Sequence, residues 1–491
     1  MRKFYQFLLV TIILGSGAFL FSCDGDDDTP DWKNIDITNA ALKSILQQKG
    51  YTFNEAGQLV QDDKVAATTS LDLSGTKLAD FSGLEALPNL KELILADNGY
   101  GPVFDFSALP AQITAVDLTG NKLFDFEGLV DVKVENDERQ TTVLRAFTKL
   151  YLPEAAKYNV EDLMPYYEKA GASTDMQMQD AKGKLQPYTT LREIPDQYFR
   201  TYLKTLFASL FPGDGTQIDI SKPMALAESG NNINLWYDNQ FADIGKIKSI
   251  EGVEYFINNP YYKSFYVSIG YTSETPITVS YLVPRANIKG ILFSTVSTPD
   301  GVDLSGATSL ASLTMGYNDY LTELDLSNTL VFNQKLSDIE SSIGNTLSLT
   351  HCQNLRTIRF PKQAEGIVWG LLLGDLPALE ELDLGFVYAA QNLYLMQLPK
   401  CNITYPYLKY YFNGAKKILQ DFSVDNQVFF AVSQDVFDME STKAFITKYR
   451  FPNPDYNPDD YSDKYLFYLR DAYRSYRKTF AAIEWSTLMQ G

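Results

Sequence analysis

The chain has 491 residues, with 61 acidic side chains against 42 basic ones and a formal net charge of −19. That balance argues against nucleic acid as a partner, because neutralising phosphates takes Lys and Arg, and against a peripheral grip on anionic lipid. Length and a hydrophobic content of 45% allow two or three domains with cores of their own. His351 is the only histidine, so Ser–His–Asp, Cys–His and multi-histidine zinc sites are hard to build.

Residues 1–22 stand apart from the fold. Arg2 and Lys3 form a basic head, Phe7 to Leu14 an apolar run, and Gly15, Ser16 and Gly17 interrupt it with small residues. Leu20-Phe21-Ser22-Cys23 comes next, and the whole resembles a bacterial lipoprotein signal peptide with Cys23 as the residue to be lipidated. Phe21 departs from the small residue usual at that position. The alternative is an uncleaved membrane anchor, for which Phe4 to Phe21 is barely long enough. Gly-Ser-Gly and the single Cys at the boundary favour cleavage. Two or more acyl chains on Cys23 would hold the chain stably to a membrane. Without Arg2 and Lys3, 40 basic side chains face 61 acidic ones. Residues 23–34 read as a solvated acidic linker. Its Asp24-Gly25-Asp26-Asp27-Asp28 resembles the surface-export signal of lipoproteins in the Bacteroides group. That resemblance implies an outer-membrane, lipid-anchored protein facing the outside of the cell.

Between Asp36 and Gly50 the spacing of Ile37, Ala41, Leu42, Ile45 and Leu46 predicts a helix. Tyr51 to Val60 predicts a hairpin turning at Asn54 to Gly57. Together they would cap a repeat that otherwise exposes its apolar face. Residues 68–129 then repeat on themselves: Leu71-Asp72-Leu73-Ser74 matches Leu93-Ile94-Leu95-Ala96 and Val116-Asp117-Leu118-Thr119. The steps from Leu73 to Leu95 to Leu118 are about 22 and 23 residues, within the leucine-rich-repeat range. A second apolar post comes half a step later, at Leu84, Phe106 and Leu129, as a coil turning once per repeat requires. After Leu129 the pattern fails over the charged stretch Asp131 to Gln140. Leu144 to Leu152 adds a last strand to a first array that spans 35–152 with its cap. Residues 153–193 read as a helix from Pro153 to Gly171, with Leu163, Tyr166, Tyr167 and Ala170 on one side and Pro165 as a flaw. A linker or flexible loop from Ala172 to Pro187 comes after it.

The second cap and array span 194–437. Ile194-Pro195-Asp196-Gln197-Tyr198-Phe199-Arg200-Thr201-Tyr202-Leu203 resembles the helix that caps leucine-rich-repeat arrays in bacterial surface proteins. Beyond it, Gly213-Asp214-Gly215 is similar to a calcium loop, but Asp214 and Asp219 are too few carboxylates for calcium. Phe293, Met315, Leu349, Leu373 and Leu395 recover the period, with posts at Leu304, Leu326, Phe360 and Leu384. The one long step is an insertion within Leu330 to Asn345, read as a loop off the edge. Phe422 to Val432 offers a last strand. Residues 438–491 read as a helical C-terminal cap, helical over Glu440 to Tyr449 and Tyr461 to Ile483. Its aromatics Tyr465, Phe467, Tyr468, Tyr473, Tyr476 and Phe480 would pack over the last repeat. Cys352 and Cys401 are expected as buried free thiols, with a disulfide as the alternative.

No phosphate loop, cofactor motif or metal cluster stands out. His351 sits in the turn after a strand, and its neighbours Thr350 and Gln353 cannot orient a base as a carboxylate would, so it is expected to make a hydrogen bond and no more. What remains is surface. The strand residues between buried leucines are the candidate ligand-binding face: Asp72, Ser74, Glu92, Ile94, Asp117 and Thr119 in the first array. In the second they are Glu323, Asp325, Arg356, Thr357, Arg359, Glu381 and Asp383.

The chain as a whole resembles leucine-rich-repeat surface lipoproteins of the Bacteroides group, internalin-like in the first array. The resemblance implies an α/β solenoid in two arrays, each with a helical N-terminal cap, and a helical C-terminal cap. It also implies a non-enzymatic protein, without cofactor or metal, that binds a protein ligand at the cell surface. Capture of a glycan is the alternative, motivated by the 66 aromatic residues, since Tyr and Trp faces stack on sugars. Leu73, Leu95, Leu118, Leu326, Leu373 and Leu384 are expected to be buried.

Overall fold

The computed structural model describes residues 34–449 apart from 136–137, 223–231, 236–240, 260–261, 271–276, 336–337, 340–344, 363–365, 407–409, 414–416 and 420–427, together with 467–468. The signal stretch, Cys23 and the acidic cluster lie outside the described residues. Among the described residues no helix is long and apolar enough to cross a membrane. The architecture is mixed α/β, with many short strands, few helices and largely parallel sheets.

Residues 34–187 build a six-stranded sheet whose strands succeed one another in chain order: Ser70–Asp72, Glu92–Ile94, Ala115–Asp117, Lys149–Leu152, Asp175–Gln179 and Leu185–Pro187. The first five are parallel and the last is antiparallel. Parallel neighbours need a crossover between them, and the first three crossovers here carry the second apolar posts. The pairing stacks Leu71, Leu93, Val116, Leu150 and Met176 in one column. Leu73, Leu95 and Leu118 bury completely, as do Leu84, Phe106 and Leu129 in the same core. Buried asparagines satisfy the turns after the strands. Asn121 Oδ1 accepts from the backbone N–H of Asn98 (3.0 Å) and Tyr100 (3.1 Å), and its Nδ2 donates to the Leu95 (2.9 Å) and Leu118 (2.8 Å) carbonyls.

Three local expectations are corrected here. The stretch expected as a linker contains the fifth parallel strand, Asp175–Gln179, and the antiparallel Leu185–Pro187. The charged stretch after Leu129 is an antiparallel pair, Val130–Glu135 with Glu138–Val143. The helix expected from Pro153 is a 3-10 turn, Glu154–Tyr158, and then a helix over Leu163–Ala170. Pro165 lies in its first turn, where a missing N–H costs nothing.

Two helices sit where capping was expected. Ala40–Gln48 starts on Asn39, whose Oδ1 accepts from Leu42 N–H at 3.0 Å, and it buries Leu42 and Leu46. The turn at Asn54 to Gly57 comes next, closed by the Gly57 N–H to the Asn54 carbonyl (2.9 Å) and by the Gln58 N–H to Asn54 Oδ1 (2.9 Å), with isolated bridges rather than full strands on either side. Gln197–Phe207 starts on Asp196. One oxygen of Asp196 accepts from the Tyr198 (2.8 Å) and Phe199 (3.0 Å) amides, the other from the Lys248 amide at 2.8 Å. The Asp of the Ile-Pro-Asp run thus both starts the helix and ties it to the segment ahead of the second array.

The second half is organised on an eleven-stranded sheet, called the long sheet here. Leu235, Ile269, Phe293, Met315, Leu349, Leu373, Leu395 and Val432 form one cross-strand column, all fully buried. The five residues aligned by sequence are its middle. Facing the same core is a ladder of short parallel pairs, Glu323–Asp325 with Thr357–Arg359 and Glu381–Asp383 with Asn402–Thr404. The ladder is continuous through Arg356 N–H to the Thr322 carbonyl (2.8 Å), Glu380 N–H to Arg356 (3.1 Å) and Asn402 N–H to Glu380 (2.8 Å). Leu304, Leu326 and Leu384 are buried, while Phe360 is only partly so. The insertion does not simply hang off the edge: its Ile339 buries against Ile367 and Ala389, with Trp369 and Tyr388 alongside. Phe445, from the helix Glu440–Tyr449, stacks on Tyr405 (4.4 Å) and meets Phe430 edge-on (5.5 Å). Phe467–Tyr468 is a strand paired with Val428–Phe429 where helix was expected. The rest of that expected helix lies outside the described residues.

Candidate functional site

The first set of predicted surface residues comes together. Ser70–Glu92–Ala115–Lys149–Asp175 and Asp72–Ile94–Asp117–Tyr151–Gln177 are two cross-strand rows on the outer face of the six-stranded sheet. Much of their charge is consumed locally. Lys149 Nζ lies 2.6 Å from Glu92 Oε1, Tyr151 O–H donates to Asp175 Oδ2 at 2.7 Å, and Asp117 Oδ1 accepts from both the amide and the hydroxyl of Thr119. Asp72 accepts from the Ser74 amide at 2.9 Å. The strand at Asp175, expected as linker, supplies two members of these rows that sequence reasoning missed.

The second set does not join the first. Glu323, Asp325, Arg356, Thr357, Arg359, Glu381 and Asp383 lie on the short ladder, not on the long sheet. Arg359 reaches Glu323 at 3.2 Å and Asp325 at 3.7 Å, and Glu381 and Asp383 are exposed. The expectation of one continuous face therefore gives way to separate charged surfaces. The Leu-x-x-Leu-x-Leu pattern marks a strand with one side buried, but either wall of a repeat can carry it.

The outer face of the long sheet is of a different kind. One cross-strand row reads Asn234, Ser268, Leu292, Thr314, Ser348, Leu372, Tyr394, Ala431. Beside it runs Tyr266–Gly290–Ser312, then Thr346–Gly370–Asn392, joined through the Ser312 and Thr346 hydroxyls. Neither row holds an Asp, Glu, Lys, Arg or His, in a chain with 103 such charged side chains besides His351. Their neighbours along each strand point into the core, so alternation turns these residues to the other face, where Ser268, Ser312 and Ala431 are nonetheless covered. Thr314, Ser348, Leu372 and Tyr394 are half-buried, and Leu372 and Tyr394 pack with Met396 and Ala431.

A ridge closes one end of this face. Tyr317, His351, Asp375 and Gln397 each come just after a strand of the long sheet and each has positive φ, between 51° and 57°. Each of the first three donates its N–H to the carbonyl one residue before its counterpart in the next turn, at 3.0–3.1 Å. In the first array Gly75 and Asp97 make the same bond, to Ala96 and Thr119, and Asp97 and the glycines Gly75 and Gly120 hold the positive φ. An L residue with a bulky side chain pays roughly 1–2 kcal/mol for that conformation, which Gly escapes. Along the ridge Tyr317 stacks on His351, ring centroids 4.3 Å apart, and His351 Nδ1 lies 2.7 Å from Asp375 Oδ2. Gln353 Nε2 donates to the same oxygen at 2.8 Å. The expectation that no carboxylate orients His351 is thus corrected: the carboxylate comes from the next turn, 24 residues on, beyond any local reading.

The two halves meet on a charged knot that the sequence did not disclose. Arg285 lies 2.7 Å from Asp125 and 2.6 Å from Glu161, and Asn159 Nδ2 donates to Asp125 (3.2 Å) and Asp162 (2.9 Å). Removal from water, then repulsion from Glu161 and Asp125, holds the Asp162 carboxyl well above the usual range. Phe124 packs on Tyr158 and Tyr281 beside the knot, and Lys122 pairs with Asp300. Cys352 and Cys401 are buried free thiols, pushed up by burial to about 11 and about 12. Asp214 and Asp219 turn their Oδ1 atoms onto Thr216 and Ser221. Among the described residues no group of three or more His, Cys, Asp or Glu could hold a metal ion.

No protein-family model matches the sequence, and no curated protein does. Among solved structures the chain is similar to the functional domain of InlJ from Listeria monocytogenes, at 12% identity. That likeness covers 78% of this chain and 73% of that one with a TM-score of 0.16, too low to support a structural argument.

Proposed function

We propose that the chain is a leucine-rich-repeat solenoid displayed at the cell surface, a non-enzymatic protein that binds another protein through the outer face of the long sheet. The observation that carries this reading is the uncharged cross-strand row whose accessible part runs Leu292, Thr314, Ser348, Leu372 and Tyr394. The centre of a protein interface is depleted of charge, because an ion buried there without a partner is costly. Ser, Thr and Leu on flat, parallel strands lose little on desolvation and little side-chain entropy on docking. The charged ladder and the six-stranded face have the composition of a solvated surface. Exposed tyrosines, which glycan capture calls for, sit at the rim rather than across this face. In the same reading Cys23 carries the lipid, and Asp24 to Asp28 direct the domain to the outside of the outer membrane. His351 with Asp375 has the geometry of an oriented base, but a nucleophile in contact with it is needed for covalent hydrolysis, and Cys352 turns its sulfur to the Thr350 carbonyl (3.5 Å).

The test is site-specific photocrosslinking in living cells, with a benzophenone amino acid in place of Thr314, Ser348 or Leu372. A protein adduct from these positions, and none from Glu323 or Glu381, is the expected result. Adducts only from the ladder, or from none of the five, would refute the assignment of the face.

A further inference from the structure

We propose that the ridge at the end of the long sheet is a binding site for a neutral saccharide, separate from the protein-binding face and independent of it. Two of the most exposed large hydrophobic side chains among the described residues, Tyr317 at 44% and Tyr320 at 61%, leave the same short loop. One face of the Tyr317 ring rests on His351, so its exposure falls on the opposite face and the edge. A pyranose presents a face of C–H bonds to such a ring and a circle of hydroxyls to whatever surrounds it. The surroundings here are hydrogen-bonding side chains already held in place. Asp375 is fixed by His351 and Gln353, and Asp319 accepts from the Gln353 amide (3.3 Å), with its carbonyl taking Asn354 Nδ2 at 2.7 Å. Few, preset polar groups beside an aromatic platform are what orient a small polar ligand.

The backbone gives an independent reason. Where the first array places Gly75, Asp97 and Gly120 in the left-handed turn, the second places Tyr317, His351, Asp375 and Gln397. Asp97, His351 and Asp375 are of residue types that enter this turn readily, so Tyr317 is the position where a bulky side chain is kept at most cost. A cation is the competing ligand for tyrosines beside carboxylates. A cage for a cation, however, surrounds it with several ring faces, and here one face of Tyr317 is already covered while Asp375 is already engaged by two donors. A protein anchor would need an enclosed, dry pocket, and the ridge stands open.

The experiment uses the chain from Asp24 to Gly491 on an array of neutral oligosaccharides, with a parallel array of Lys- and Arg-rich peptides. Retention of one or more neutral saccharides is expected, weakened about tenfold or more by Tyr320→Ala at unchanged melting temperature. Tyr317→Gly is expected to abolish binding without lowering the melting temperature, since it removes the platform and relaxes the turn. Ser348→Arg on the protein-binding face should leave saccharide binding intact, which keeps failure of this site distinct from failure of that face. The proposal is overturned if no neutral saccharide is retained, if binding survives Tyr320→Ala, or if only the basic peptides bind.

Discussion

Replacing Arg285 with Met should separate the two halves energetically. Met keeps much of the volume and removes the charge, so the effect reads the ion pairs. Arg285 holds Asp125 at 2.7 Å and Glu161 at 2.6 Å, and the Asp125 side chain is only 6% exposed. Without the guanidinium, Asp125 is a nearly water-free carboxylate with Asn159 as its remaining side-chain donor (3.2 Å). Glu161, at 26% exposed, recovers part of its hydration. Breaking a buried pair in this way costs about 3–5 kcal/mol, and Asp125 should bear most of it. Burial pushes the Glu161 carboxyl up, so the part of the cost that Glu161 bears should shrink as pH falls. Urea unfolding monitored by tyrosine and tryptophan fluorescence at pH 8 and pH 5 measures both effects. A cost below about 1 kcal/mol at both pH values, the level of an exposed pair, would refute a buried junction.

Glu254 is fully buried, and burial lifts its carboxyl from the usual 4.5 to about 7. The folded state therefore holds this proton more tightly than the unfolded chain does. The associated stability is present below pH 4.5 and lost as pH rises through about 7. Glu254→Gln should flatten that loss, read as a smaller fall in urea midpoint between pH 5 and pH 8 than in the wild type. Ellman's reagent at pH 8 should find no reactive thiol in the native chain from Asp24 onward and two after guanidinium, because Cys352 and Cys401 are buried and free. Native reactivity, or none after denaturation, would contradict the packing. Asn121→Ala should cost about 2–4 kcal/mol by stranding the Asn98 and Tyr100 amides. Asn89→Ala, an exposed control, should cost under about 0.5 kcal/mol.

The core was legible in the sequence because a buried column repeats one residue type at a fixed step. Leu73, Leu95, Leu118, Leu326, Leu373 and Leu384 are all buried, and Phe293 through Leu395 stand in one register. Asp196 at the start of its helix was legible for a similarly local reason, since its partners lie two and three residues on. The Asp175–Gln179 strand was hidden by its composition. Asp-Met-Gln-Met-Gln alternates as a strand should, but Met and Gln are weak strand formers, and the partner strand supplies the missing preference. The surface was harder to read. Burial tells which residues point inward, but two walls share each core, and spacing does not say which wall a Leu-x-x-Leu-x-Leu run belongs to. Thr314, Ser348 and Leu372 became a row only through strand pairing across 24 to 34 residues. His351–Asp375 and Arg285–Asp125 are pairings of the same kind, between residues with no local pattern in common.

The central claim concerns which face meets the partner, and adhesion of whole cells tests it most directly. Cells displaying the wild type would be compared with cells displaying Thr314→Arg with Ser348→Arg, and with cells displaying Glu323→Arg with Glu381→Arg, at matched surface levels. The first pair adds two positive charges, while the second reverses two negative ones and removes the Glu323–Arg359 ion pair, so the ladder pair is the larger change in charge and the stricter control. The proposed function predicts that the first pair abolishes adhesion while the second leaves it within about twofold of the wild type, as rim or remote charges do. Adhesion that persists with arginines at 314 and 348, and fails with arginines at 323 and 381, would place the partner on the charged ladder and contradict the claim.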